Sequence, residues 1–239
     1  MAQGYPGPLP STRGPNLLYV ESRSAEERRE ELVELFREVS RCERCPLYRT
    51  RTKAVFGAGN ADTDLMFIGE APGQQEDLLG LPFVWRAGKL LDALLEEVGL
   101  ARADVFIANV LKSRPPGNRD PQPDEIDACK PYLHRQIDLI EPKVICTLGN
   151  FATKLLTRSP RGITGVHGRP QVHELGLRTV RVFPLYHPAA ALRSTKTLDE
   201  LREDFARLSV LLTEPAPVPI GAVAPAAAAA EPPQTELFG

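Results

Sequence analysis

The sequence predicts an α/β fold: a three-layer sandwich in which a central, four-stranded and largely parallel sheet is flanked by helices. Three observations predict it. Short apolar runs at residues 65–68, 105–111, 143–148 and 180–186 are each stopped by Gly, Pro or polar signals. Stretches with helical apolar spacing stand between them, and such alternation implies parallel strands covered on both faces. Finally, 239 residues with ordinary apolar (42%) and charged (25%) fractions suffice for one such domain and its core.

Taken in order, residues 1–23 are Gly/Pro-rich with little to bury and are expected to be a disordered extension. Ser24 begins a helix, with Glu26 and Glu27 in its first turn and Leu32, Leu35, Phe36 and Val39 as its apolar stripe. The helix stops at Ser40-Arg41, before Cys42-Glu43-Arg44-Cys45-Pro46. The first strand runs into Gly69-Glu70-Ala71-Pro72-Gly73, and a helix is expected over residues 87–98. That loop lies at the carboxyl end of a strand, where open α/β sheets bind ligands. Its glycines admit close backbone approach, and Glu70, Glu76 and Asp77 crowd the same few residues. The plainer reading is a strand-to-helix turn with solvated acids.

The second strand ends at Asn109-Val110-Leu111 and opens into a polar loop, Lys112 to Pro121. Asp124 is expected to cap a helix with Ile126, Cys129, Leu133, Ile137 and Ile140 on one side. The third strand leads through Gly149-Asn150 to a helix carrying Phe151, Leu155 and Leu156, then to a basic, glycine-containing loop from Arg158 to Arg169. The fourth strand breaks at His187-Pro188, and a final helix is expected over residues 198–212. The folded domain is therefore expected over residues 24–213. From Glu214 onward the Pro/Ala-rich chain has no periodicity and reads as a flexible tail.

No run approaches the roughly 18 apolar residues of a membrane span, and no apolar signal-peptide core is present, so a cytoplasmic location is expected. Net charge is −2, but residues 1–23 carry +1 and residues 214–239 carry −3, which leaves the middle neutral. Any contact with nucleic acid would then have to come from a local basic patch rather than a global field.

Four cysteines in such a chain point to metal or redox chemistry rather than disulfides. The Cys42-x-x-Cys45 turn can present two thiolates to one metal centre. With Cys129 and Cys146, either a zinc site or an iron–sulfur cluster could form. Cys129 and Cys146 could equally be small core residues.

Together, Gly69-Glu70-Ala71-Pro72-Gly73, Glu76-Asp77, Pro82-Phe83, Asn109, Arg114-Pro115-Pro116-Gly117-Asn118-Arg119 and His187-Pro188 resemble the family 4 uracil-DNA glycosylases, in the family's order and over about residues 35–212. The resemblance implies a four-stranded parallel sheet between helices, a [4Fe-4S] cluster, and excision of uracil from DNA by cleavage of the N-glycosidic bond, in base excision repair. It departs from the family in two places. Ser113 stands where the family usually has a cysteine, so Cys146 is expected to complete the ligand set with Cys42, Cys45 and Cys129. Trp85 stands where the family commonly has glycine, beside the expected base pocket.

The resemblance also implies roles. Uracil would be bound by Glu70, Ala71, Phe83, Asn109 and His187, with Phe83 as the stacking face and the Asn109 amide offering a donor and an acceptor to the base edge. His187 would donate to the developing uracil anion, and Glu70 or Glu76, with Asn118 assisting, would orient the attacking water. The two acids are not ranked by sequence. Arg114, Arg119, His167 and Arg169 are expected on DNA, with Arg158 and Arg161 on neighbouring loops. The short Pro116-Gly117-Asn118-Arg119 segment, without the basic insertion of a crosslinking branch, implies hydrolysis and release.

The tail ends in Gln234-Thr235-Glu236-Leu237-Phe238, similar to the peptides by which bacterial repair proteins dock on the sliding clamp. The expected partners are uracil-containing DNA and this clamp, the expected state is a monomer, and the expected place is the nucleoid. Two other classes stay open: a glycosylase with broader deaminated-base preference, and a non-catalytic, metal-stapled DNA-binding module.

Overall fold

The computed structural model describes residues 23–218. Its elements in chain order are α1 (Ala25–Ser40), β1 (Ala58–Gly59), β2 (Leu65–Gly69), α2 (Gln74–Leu79), α3 (Arg86–Glu97), β3 (Phe106–Asn109), α4 (Pro123–Ile140), β4 (Val144–Leu148), α5 (Asn150–Thr157), β5 (Gln171–Leu175), β6 (Arg178–Leu185), α6 (Pro188–Ala191), α7 (Thr195–Ala206) and α8 (Leu208–Thr213). The sheet order is β1-β3-β2-β4-β6-β5. The inner four strands pair in parallel, as expected, and β1 and β5 add antiparallel edges. Those edges were not legible: β1 has two residues, and β5 alternates half-buried and exposed positions rather than forming an apolar run.

Strand alternation divides the core in two. Met66, Ile68, Phe106, Ala108, Ile145 and Val182 pack on one face with residues of α1, α4 and α5. Leu65, Phe67, Ile107, Val144, Cys146 and Phe183 pack on the other with α3, α7 and α8. Nearly every inner-strand position is buried, which is why these strands read as continuous apolar runs.

Helix α1 begins as expected: the Ser24 hydroxyl accepts from the Glu27 N–H (3.2 Å) and the Glu27 carboxylate from the Ser24 N–H (2.7 Å). Phe36 does not join its buried stripe; it is half exposed, with its ring edge-on to Phe56 at 5.7 Å. Asp124 is not the cap of α4. Pro123 opens that helix and the Glu125 carboxylate accepts from the Gln122 N–H at 2.9 Å, so the start lies two residues earlier. The expected last helix is two, broken at Arg207.

The expectation for Cys146 is corrected. It lies in the α3/α7 face of the core, fully buried, whereas Cys42, Cys45 and Cys129 belong to the opposite face. The start of β4 does follow α4, but residues at one parity of a strand point away from residues at the other. Val144, Cys146 and Leu148 share the parity facing away from α4.

Among the described residues no helix is long and apolar enough to cross a membrane. Residues 1–22, and the expected clamp peptide Gln234 to Phe238 with most of the tail, lie outside the described residues.

Cys146→Ala should therefore cost about 1 kcal/mol, the scale of a small core truncation, read as a shift in thermal unfolding. A metal held by Cys42, Cys45 and Cys129 would be lost from Cys129→Ala and kept by Cys146→Ala; its loss from the Cys146 variant in a metal assay would put that thiol at the metal after all.

Candidate active site

The carboxyl ends of β2, β3 and β6 frame a cleft of about 440 Å³. Glu70, Ala71, Pro72, Gly73 and Glu76 line it after β2, and Phe83, Trp85 and Ala87 in the turn that follows. Asn109, Pro115, Asn118 and Arg119 come from the end of β3 and its loop, and His187 and Ala189 from the end of β6. Every residue expected to act on the base or the water is present. The volume lies within the range of small-ligand pockets.

Gly69 makes the convergence possible. A Cβ there would lie 2.8 Å from the Phe83 ring and would also overlap Asn109 Oδ1. The Phe83 and His187 rings stack with centroids 5.6 Å apart. Phe83 holds a left-handed backbone (φ 50°), an unfavourable conformation for a bulky side chain. Three neighbours impose it. Arg102 donates to the carbonyls of Pro82 and Phe83, the Glu76 carboxylate accepts from the N–H groups of Val84 (3.0 Å) and Trp85 (3.3 Å), and Gly88 leaves room for the Phe83 carbonyl. Sequence reasoning missed Arg102 and Gly88, which lie outside the motif residues.

This separates the acids. Glu76 spends one carboxylate oxygen on the turn that presents Phe83. Asp77 is buried outside the cleft and accepts from the Thr52 N–H at 2.9 and 3.1 Å. The Glu70 carboxylate makes no hydrogen bond among the described residues, while its main-chain carbonyl accepts from the Leu111 N–H at 3.0 Å. Burial pushes its carboxyl above the usual carboxylate value, and nearby Asp120 adds to the effect.

The His187 ring has a defined tautomer. Its Nδ1 accepts from the Ala189 N–H at 3.1 Å, capping α6. The proton of the neutral ring therefore sits on Nε2. Burial pushes the imidazole down to about 4, opposed by Glu76, so the ring is neutral at pH 7. The backbone-capping role and the donor role are thus compatible: each uses a different nitrogen.

Asn109 is buried at the last position of β3, and its side-chain amide makes no hydrogen bond to the described residues. Asn118 accepts from Arg114 Nε at 2.6 Å. Of the residues expected on DNA, Arg169 is exposed and Arg114 half-buried. Arg119, exposed at the cleft, makes a bidentate pair with the buried Glu125 carboxylate and also donates to the Asp120 carbonyl. His167 Nδ1 lies 2.8 Å from Asp204 and its ring 4.4 Å from that of Tyr186, the residue before His187.

Cys42 and Cys45 are half-buried and Cys129 buried. Burial pushes the Cys129 thiol up; the Lys112 N–H, 3.5 Å from its sulfur, opposes this, while Cys45 and Cys42 add to it. Ser113 follows Lys112, and Arg51 bridges its hydroxyl (3.2 Å) to the Cys42 carbonyl (2.7 Å). Among the described residues no three His, Cys, Asp or Glu side chains are gathered to hold a metal ion.

The model of the Uracil DNA glycosylase superfamily matches residues 56–209, which contain the whole cleft. A Type-4 uracil-DNA glycosylase of Sulfurisphaera tokodaii is 47% identical over 189 residues, 77% of this chain and 86% of that protein. Those of Saccharolobus solfataricus (47% over 181 residues; 74% and 84%) and Archaeoglobus fulgidus (44% over 186 residues; 76% and 94%) are similar. With its motif residues brought into one cleft and this likeness along most of its length, the chain belongs to the type-4 family of the uracil-DNA glycosylase superfamily.

Proposed function

We propose that this protein excises uracil from DNA by hydrolysing the N-glycosidic bond, leaving an abasic site for base excision repair. The observation that carries the reading is one cleft shared by Phe83, Asn109, His187 and the Glu70 carboxylate, which has no hydrogen-bond partner among the described residues. A DNA-binding module would not need that convergence.

The base must leave the duplex to reach the cleft. Phe83 supplies an apolar face for the flat ring. The Asn109 amide matches uracil, whose edge presents one N–H and one carbonyl; cytosine presents a ring nitrogen acceptor and an amino donor in the same places, so a fixed amide mismatches both. Because that amide has no competing protein partner, the wrong base leaves it unsatisfied, which is a strong source of discrimination. This favours uracil over cytosine, the normal base from which it arises. Ala71 contributes to the wall beside the ring.

As the C1′–N1 bond breaks, its electron pair passes to uracil. The Nε2–H of neutral His187 donates to that anion, and an uncharged donor does so without being buried as a cation. Glu70 orients water toward C1′ and takes its proton as the new C–O bond forms. Glu76 acts through Phe83, and Asn118 steadies the loop with Arg114. Arg114 and Arg169 meet phosphates, and Arg119 holds the loop to Glu125 instead. The absence of a basic insertion beside Asn118 suits hydrolysis and release.

Cys42, Cys45 and Cys129 would hold a [4Fe-4S] cluster, which these thiolates would bind through sulfur. When bound it would staple the end of α1 to α4. We further place the enzyme as a monomer at the nucleoid, tethered to the sliding clamp through Gln234-Thr235-Glu236-Leu237-Phe238, whose Leu and Phe suit an apolar pocket.

Two outcomes are expected. In single-turnover assays on uracil-containing oligonucleotides, Glu70→Gln should lose roughly 10²–10⁴-fold in rate with DNA affinity retained. The wild-type rate should fall with decreasing pH through a midpoint above 4.5, because Glu70 must be ionised, and stay level through the ordinary imidazole range, because His187 is already neutral. A limb near 6.5 that persists in Glu70→Gln would assign the titration to histidine. Separately, deleting residues 234–239 should abolish clamp co-purification and leave excision from short oligonucleotides intact; clamp binding by the truncated chain would rule the peptide out.

A further inference from the structure

Three residues beyond Asn109, the side chain of Lys112 turns back into the protein. Lys112 is 2% exposed, yet it makes no ion pair among the described residues. Its Nζ donates to the main-chain carbonyl of Asn109 at 2.7 Å and to Gln136 Oε1 at 2.6 Å. Gln136 is itself fully buried on α4, and its Nε2 donates to the Phe56 carbonyl at 2.9 Å. The Lys112 main chain is anchored as well: its carbonyl accepts from the Val55 N–H at 2.7 Å, and its N–H points at Cys129 Sγ. An ammonium placed out of water is costly, and two neutral acceptors compensate it only in part.

The place of that ammonium is informative. Asn109 is the last residue of β3, paired with Gly69 at the edge of the register. Lys112 binds its carbonyl and ties it to α4 through Gln136. The amide of the same Asn109 enters the cleft without a protein partner to orient it.

We infer that Lys112 is a positioning residue for base recognition: its Nζ pins the Asn109 main chain to Gln136, so that the Asn109 amide meets the base in one orientation. The inference rests on the reading above that Asn109 contacts uracil. It also makes Lys112 the mechanical link between the cleft and the cysteine site, because one residue bonds Asn109 through its side chain and Cys129 through its backbone. A methionine of similar length would fill the space but could not donate.

The test is a double-mutant cycle with Asn109→Ala, Lys112→Met and the pair, read as single-turnover excision and as inhibition by free uracil. Lys112→Met should weaken uracil inhibition and slow excision by about tenfold, and by less than twofold in the Asn109→Ala background, as for contacting residues that act as a unit. Should Lys112→Met fail to fold, Gln136→Met keeps the lysine and removes its tether; it should weaken uracil inhibition by about threefold, again only where Asn109 is present. Equal losses in both backgrounds, or a lowered melting temperature with uracil inhibition unchanged, would overturn the inference. If Asn109→Ala alone leaves uracil inhibition unchanged, the reading of Asn109 fails and takes the inference with it.

Discussion

The cleft depends on a missing side chain. At Gly69, the end of β2, the Phe83 ring and the Asn109 amide close over backbone that any Cβ would push apart. Gly69 is not among the glycines with a left-handed backbone, so the requirement is for space alone. Two residues from different segments thereby become neighbours, and His187 reaches Phe83 from the end of β6. The cleft wall is set by packing among the ends of β2, β3 and β6 and the turn that carries Phe83.

From that constraint the polar groups fall into distinct duties. Glu76 and Arg102 stabilise a turn that would otherwise relax, because Phe83 in a left-handed conformation has an intrinsic cost of about 1–3 kcal/mol. His187 uses one nitrogen to start α6 and keeps the other for the cleft. The Glu70 carboxylate is left without a partner among the described residues, and its burial, with Asp120 nearby, raises its proton affinity. The near-neutral net charge is consistent with this economy, because it offers nucleic acid no global attracting field.

Much of this was legible because the inner strands are buried on both faces and so announce themselves as apolar runs ending in Gly, Pro, Asn or His. The residues at those ends assemble as the sequence order suggests. Sequence failed where the deciding variable was three-dimensional. Cys146 looked close to Cys129 along the chain, but strand parity sends it to the other face. Glu70 and Glu76 are chemically alike, and only the Val84 and Trp85 N–H groups tell them apart. Arg119 sits in a basic loop yet answers Glu125, six residues on, once α4 has formed. Lys112, directly after seven mostly apolar residues, carried a signal that was available: a lysine continuing a buried strand has to find acceptors inside.

The account comes down to whether the Gly69 gap sets the geometry of base recognition, and Gly69→Ala measures this with one added methyl group. The variant should melt cooperatively, yet excise uracil about 100-fold more slowly, the scale of an ångström-sized misplacement. A cooperative melt with a wild-type single-turnover rate would show that Phe83 and Asn109 do not need to meet over that glycine, and the account would be wrong at its base.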